Sequence, residues 1–99
     1  MKTRVQSIHF DADKKLLSFI EEKVDKLIHF YDQIIGSEVI LKLDKSSDQK
    51  NKIVHILVQM PGNEIIAKEQ CHTFEEATDL CIDTLTRQIK KYKERLRGE

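Results

Sequence analysis

A chain of 99 residues, 39% apolar and 34% charged, is the length of one domain with a modest core and leaves no room for a second. Its 17 basic and 17 acidic residues cancel, which argues against a generic nucleic-acid binder, usually basic throughout. No apolar run approaches the ~18 residues of a membrane span, and the first ten residues, MKTRVQSIHF, lack the apolar stretch of a secretory signal. The expectation is a single cytoplasmic domain over 1–99, with Cys71 and Cys81 as reduced thiols.

Residues 3–10 (TRVQSIHF) alternate and carry β-branched side chains, which predicts a strand. Asp11 and Asp13 follow, both suited to capping a helix. Leu16, Leu17, Ile20, Val24, Leu27, Ile28 and Tyr31 then recur at helical spacing, predicting one amphipathic helix of about five turns. Gly36 marks its exit loop. EVILKLD (38–44) alternates, DKSSDQKNK (44–52) is a polar loop, and IVHILVQM (53–60) is the strongest strand pattern in the chain. Pro61-Gly62-Asn63 is a turn, because Pro presets φ and Gly supplies φ > 0. EIIAKEQC (64–71) is the returning strand.

Thr73 stands three residues before Glu76, a capping box. Phe74, Ala77, Cys81, Leu85, Ile89, Tyr92 and Leu96 form one stripe, so a second helix runs from about Phe74 nearly to the end. The order β-α-β-β-β-α predicts an α+β fold. Its sheet is four-stranded and mostly antiparallel, with both helices on one face, an arrangement like that of double-stranded-RNA-binding domains. The strand–helix–strand crossover is right-handed if its strands are parallel.

Charge is segregated along the chain. Thr86–Glu99 holds six basic and two acidic residues, against eleven and fifteen in the other 85. Acids early and bases late complement a helix dipole, and Asp83–Arg87 and Lys90–Glu94 have the spacing of stabilising pairs. But Arg87, Lys91 and Arg95 form a ladder of like charge, as do Lys93 and Arg97, and such spacing destabilises by a few tenths of a kcal/mol. On residues alone, a polyanion partner and a solvated helix end both stay open. Lys23 and Lys26 add a second basic flank, close to Phe19 and Phe30, and Lys14 and Lys15 lie near its start. Taken alone, these lysines are better explained as snorkelling beside an apolar stripe; side by side with the C-terminal helix they could build one basic surface.

No catalytic or metal pattern emerges. Cys71-His72 with Cys81 matches no zinc spacing, and His9, His29 and His55 are scattered over different elements. Glu75-Glu76 is explained by a helix start. Three glycines make no phosphate loop, and Tyr92 falls on the core stripe.

The two helices resemble the ribosome hibernation-promoting factor family, also called ribosome-associated inhibitors. In TFEEATDLCIDTLTRQIKKYKERL (73–96), Phe74, Glu76, Ala77, Asp79, Asp83, Leu85, Arg87, Gln88, Lys91 and Lys93 fit the family's pattern. In EEKVDKLIHFYDQI (21–34), Lys23, Lys26, Leu27, Phe30 or Tyr31, and Asp32 do so. Thr84 stands where the family commonly has Lys, and Thr78 where it has Ile.

The resemblance implies a non-enzymatic factor of the short form, without the dimerisation domain of the long members. It would bind the small ribosomal subunit and the assembled ribosome in the mRNA and tRNA channel, and silence translation under starvation. The implied rRNA contacts are Lys23, Lys26, Arg87, Lys90, Lys91, Lys93 and Arg95, acting on phosphates that set register without reading bases. No cofactor, DNA or membrane partner is implied, and the free protein is expected to be a monomer. The alternative is an adaptor of the same fold whose basic helix binds an acidic protein.

Overall fold

Alternation makes the strands and the two capped stripes make the helices, with boundaries set by local backbone chemistry. The computed structural model describes residues 2–45 and 49–96. Four strands, β1 (Lys2–Ser7), β2 (Gly36–Leu43), β3 (Lys52–Met60) and β4 (Asn63–Cys71), form one sheet in the order β1-β2-β3-β4. Helix α1 (Lys14–Asp25) continues into a 3₁₀ segment (Lys26–His29), and α2 spans Phe74–Leu96. β1 and β2 are parallel, and the other two pairings are antiparallel. A parallel pair needs a crossover, which α1 and its 3₁₀ extension supply. This is the α+β, four-stranded, two-helix architecture that the element order predicts.

One face of the sheet carries the core. Val39, Ile56 and Ala67 pair across three strands, and Leu41, Val54 and Val58 lie on the same face, all buried. Ile20, Val24 and Leu27 close over it from α1 and its extension, and Ala77, Cys81, Leu85 and Ile89 from α2. The opposite face, with Glu38, Ile40, His55 and Leu57, is only partly covered.

The caps form where their residue types require. Asp13 Oδ1 accepts from the Leu16 amide at 2.8 Å, and Thr73 Oγ1 accepts from the Glu76 amide at 3.0 Å. Thr78, wholly buried, donates its hydroxyl to the Phe74 carbonyl at 2.7 Å, so it is satisfied within its own helix.

Three boundaries differ from expectation. The first strand stops at Ser7 rather than residue 10, because His9 takes φ 64°, a left-handed conformation that no strand continues through. Phe10 then lies against Phe74, the rings stacked at 5.3 Å. The first α-helix has three turns rather than five. Past Asp25 the backbone tightens, and the Phe30 amide donates to the Leu27 carbonyl at 3.0 Å. Gly36 is no loop residue but the first of β2. A Cβ there would meet the Lys2 carbonyl at 3.1 Å, so the close approach of β1 demands glycine. Gly62 is different, because φ 73° constrains it while the space around it is open. The polar loop 44–52 lies partly outside the described residues.

Both cysteines are buried thiols. Burial, helped by the nearby Glu69 carboxylate, pushes the Cys81 thiol from its ordinary value of 9.0 up to about 12. Cys71 is raised too, by burial and then by hydrogen bonding to Glu76. Among the described residues, no three His, Cys, Asp or Glu side chains gather as a metal site, and no helix is long and apolar enough to cross a membrane.

Gly62→Ala should lower stability by about 1–2 kcal/mol through φ alone, seen as a lower urea midpoint at unchanged slope. Leu85→Ala should cost about 2–5 kcal/mol, with the difference being cavity. Because folding favours the neutral Cys81 thiol, its contribution is intact below pH 9.0 and is lost as pH climbs toward about 12. Iodoacetamide should therefore label native protein far more slowly than urea-unfolded protein at about pH 8.

Candidate nucleic-acid interface

The orientation of α2 decides where its cations go. Leu85 and Ile89 are buried and Tyr92 half-buried, so that stripe faces the sheet. The Tyr92 hydroxyl donates to the Pro61 carbonyl at 3.0 Å, tying the end of the helix to the β3–β4 turn. Its ring meets Tyr31 edge-on at 5.6 Å. The basic end of α2 is thereby held against two other elements, and Tyr92 plays the packing role that its place on the stripe predicts.

The cations then sort onto two flanks. Lys91 and Arg95, with Gln88, line a groove against Asn63, Glu64, Ile65 and Ile66 of β4. Arg87 precedes Lys91 by one turn and continues that row. Gln88 sits at its base and donates Nε2 to the Ile66 carbonyl at 3.4 Å, while its Oε1 is buried without a partner among the described residues. On the other flank Lys90 reaches toward the first helix, with Nζ 5.7 Å from the centroid of Phe30. Lys93 follows three residues later on that side and is half-buried. Arg97 lies outside the described residues.

The two helices pack on each other, which brings the second basic element alongside. Lys26 is exposed at the start of the 3₁₀ segment. Lys23 is engaged already: its Nζ lies 3.4 Å from Asp79 Oδ1 on α2 and 5.5 Å from the Phe19 ring. Half-exposed ion pairs of this kind are weak, about 0–1 kcal/mol. Lys23 thus links α1 to α2 only weakly, and with Asp79 beside it contributes less free charge than Lys26.

The pairs that spacing suggests along α2 do not form. Neither Asp83–Arg87 nor Lys90–Glu94 closes to an ion pair. Arg87 instead donates to Thr84 Oγ1 at 3.5 Å, and Lys90 lies over Phe30. Arg87, Lys91 and Arg95 are exposed and have no carboxylate partner among the described residues. A row of unneutralised, evenly spaced cations on a rigid helix suits a polyanion backbone, which offers negative charges at regular intervals and needs no chemistry.

Sequence periodicity anticipates this row. It also places Tyr31 on the apolar stripe and Phe30 beside the basic flank, as the structure has them: Tyr31 turns in against Tyr92, and Phe30 stays 37% exposed beside Lys90. It does not reveal that Gln88 reaches β4, since that contact spans 22 positions.

No curated protein sequence matches the chain. Several solved structures resemble it, two of them as follows. A ribosomal subunit interface protein from Coxiella burnetii is 26% identical, with a TM-score of 0.84 over 95% of this chain and 99% of that one. The N-terminal domain of Thermus thermophilus Protein Y is 20% identical, with a TM-score of 0.76 over 90% of this chain and 94% of that one, and shares the fold. The family model described as sigma 54 modulation protein / S30EA ribosomal protein matches residues 3–97, and with nearly its whole length accounted for, the chain belongs to that family, the hibernation factors that its two helices resemble.

Proposed function

We propose that the chain is a non-enzymatic, ribosome-associated factor that works in the cytoplasm. It lays the basic end of α2, with Lys26 beside it, on rRNA of the small subunit. The row Arg87, Lys91 and Arg95, exposed and without carboxylate partners among the described residues, carries this reading. It is supported by the family, and by a relative of nearly equal length described as a ribosomal subunit interface protein.

Seated in the channel that mRNA and tRNA anticodon ends occupy, the domain would silence translation under starvation by steric exclusion. No bond is made or broken. Lys90 and Lys93 would meet phosphates from the second flank, and Lys23, with Asp79 beside it, would contribute less. Backbone contacts of this kind recognise shape and position rather than sequence. The free protein is proposed to be a monomer, with rRNA as its sole nucleic-acid partner.

Co-sedimentation with ribosomes on sucrose gradients tests this. The protein should travel with small subunits and assembled ribosomes, and raised salt should release it. Arg87→Glu with Lys91→Glu should abolish association and leave the thermal unfolding midpoint nearly unchanged, because both side chains are exposed. If this double variant binds as tightly as the parent, the surface is wrong. Capture of an acidic protein, insensitive to nuclease, would favour the adaptor instead. Thr84→Lys should tighten binding and steepen the salt dependence by about one phosphate contact, since Thr84 lines the same groove as Arg87 and Lys91.

A further inference from the structure

We infer that Phe30 is a stacking platform for an unpaired rRNA nucleobase, set at the seam where the first helix meets α2. The inference rests on the rRNA-binding reading above and adds a contact that reading does not contain.

Its exposure is the first observation. Among the described residues, the large apolar side chains left open to solvent are Phe30, Ile35, Leu43, Ile66, Leu80 and Leu96. Phe30 is the single aromatic ring in that set. Leaving this ring 37% exposed forgoes part of the burial energy that a core position would give, while the neighbouring Tyr31 ring turns inward against Tyr92. Just past the 3₁₀ segment Lys26–His29, Tyr31 lies against Tyr92 while Phe30 stays outside.

Charge is the second. Lys90 Nζ lies 5.7 Å from the ring centroid, and Lys26 is exposed at the start of the same 3₁₀ segment. A part-exposed ring with the Lys90 ammonium over it, and Lys26 exposed on the same 3₁₀ segment that leads to it, offers what a single-stranded nucleotide requires: an aromatic surface for the base and positive charge for the phosphates.

Rigidity is the third. The Phe30 amide is held by the Leu27 carbonyl at 3.0 Å, and the next residue, Tyr31, is fixed edge-on against Tyr92. The ring is displayed from an ordered support, so little entropy is lost when a base docks.

The chain has no tryptophan, so Phe30→Trp introduces a single indole reporter at the site. The experiment measures affinity of the full chain for purified small subunits at several salt concentrations, for the parent and for Phe30→Leu, Phe30→Tyr and Phe30→Trp. Phe30→Leu should weaken binding about 5- to 150-fold, the range for loss of one stacked base. Its salt slope should be unchanged, because no phosphate contact is removed. The tyrosine and tryptophan variants should retain parental affinity, and the emission of the introduced indole should be quenched on binding. All variants should keep the parental unfolding midpoint to within a few degrees.

Parental affinity for Phe30→Leu would overturn the inference while leaving ribosome binding intact. A loss accompanied by a shallower salt slope would overturn it too, because Phe30 would then merely position Lys90. If the parent binds no subunits, the proposed function fails, and titrating the Phe30→Trp variant with single-stranded oligoadenylate decides the stacking question separately. Quenching there upholds the platform, and its absence removes it.

Discussion

Burial of one stripe of α2 is the constraint on which the rest depends. Ala77, Cys81, Leu85 and Ile89 lie wholly within the core, and Phe74 nearly so. Each of the larger side chains contributes about 1.5–3 kcal/mol from burial. Like-charge repulsion along the exposed face costs only tenths of a kcal/mol per pair. The stripe therefore wins, and the outer face of the helix is free to carry an arrangement of charge that no isolated helix would favour. The same stripe fixes the rotation of α2, which places Arg87, Lys91 and Arg95 beside β4 and Lys90 beside the first helix.

A neutral chain with a polarised surface behaves differently from a uniformly basic one. Early acids on α2 complement its dipole, and one of them, Asp79, takes Lys23 as partner. The late bases have no such partners among the described residues. Net positive charge is thus concentrated at the end of α2, where Tyr92 anchors the helix to the Pro61 turn. That placement favours a partner whose shape admits that end, over any polyanion that happens to be near.

Around this frame, small backbone departures serve particular side chains. The left-handed His9 ends β1 and lets Phe10 lie on Phe74. Gly36 lets β1 come close enough to pair in parallel with β2. Neither of these is a large energy by itself, and each places one group where a regular helix or strand would not.

Much of this was legible in the sequence, because it depends on local periodicity. Period-two alternation placed all four strands. The stripes and the cap residues Asp13 and Thr73 placed both helices, and Pro61-Gly62 placed the turn. The basic row on α2 was legible too, since three residues one turn apart must share a face. Tertiary contact alone decided the rest. A stripe of apolar residues reads the same whether its backbone winds as α or 3₁₀, so the sequence could not show that the first α-helix would give way to a 3₁₀ segment at Lys26. Spacing within a helix says which charges are near each other, but not that Asp79 would pair with Lys23, that Lys90 would leave Glu94 for Phe30, or that Gln88 would reach Ile66. Those choices depend on which other element packs alongside, and they exist only once α1, α2 and β4 are brought together.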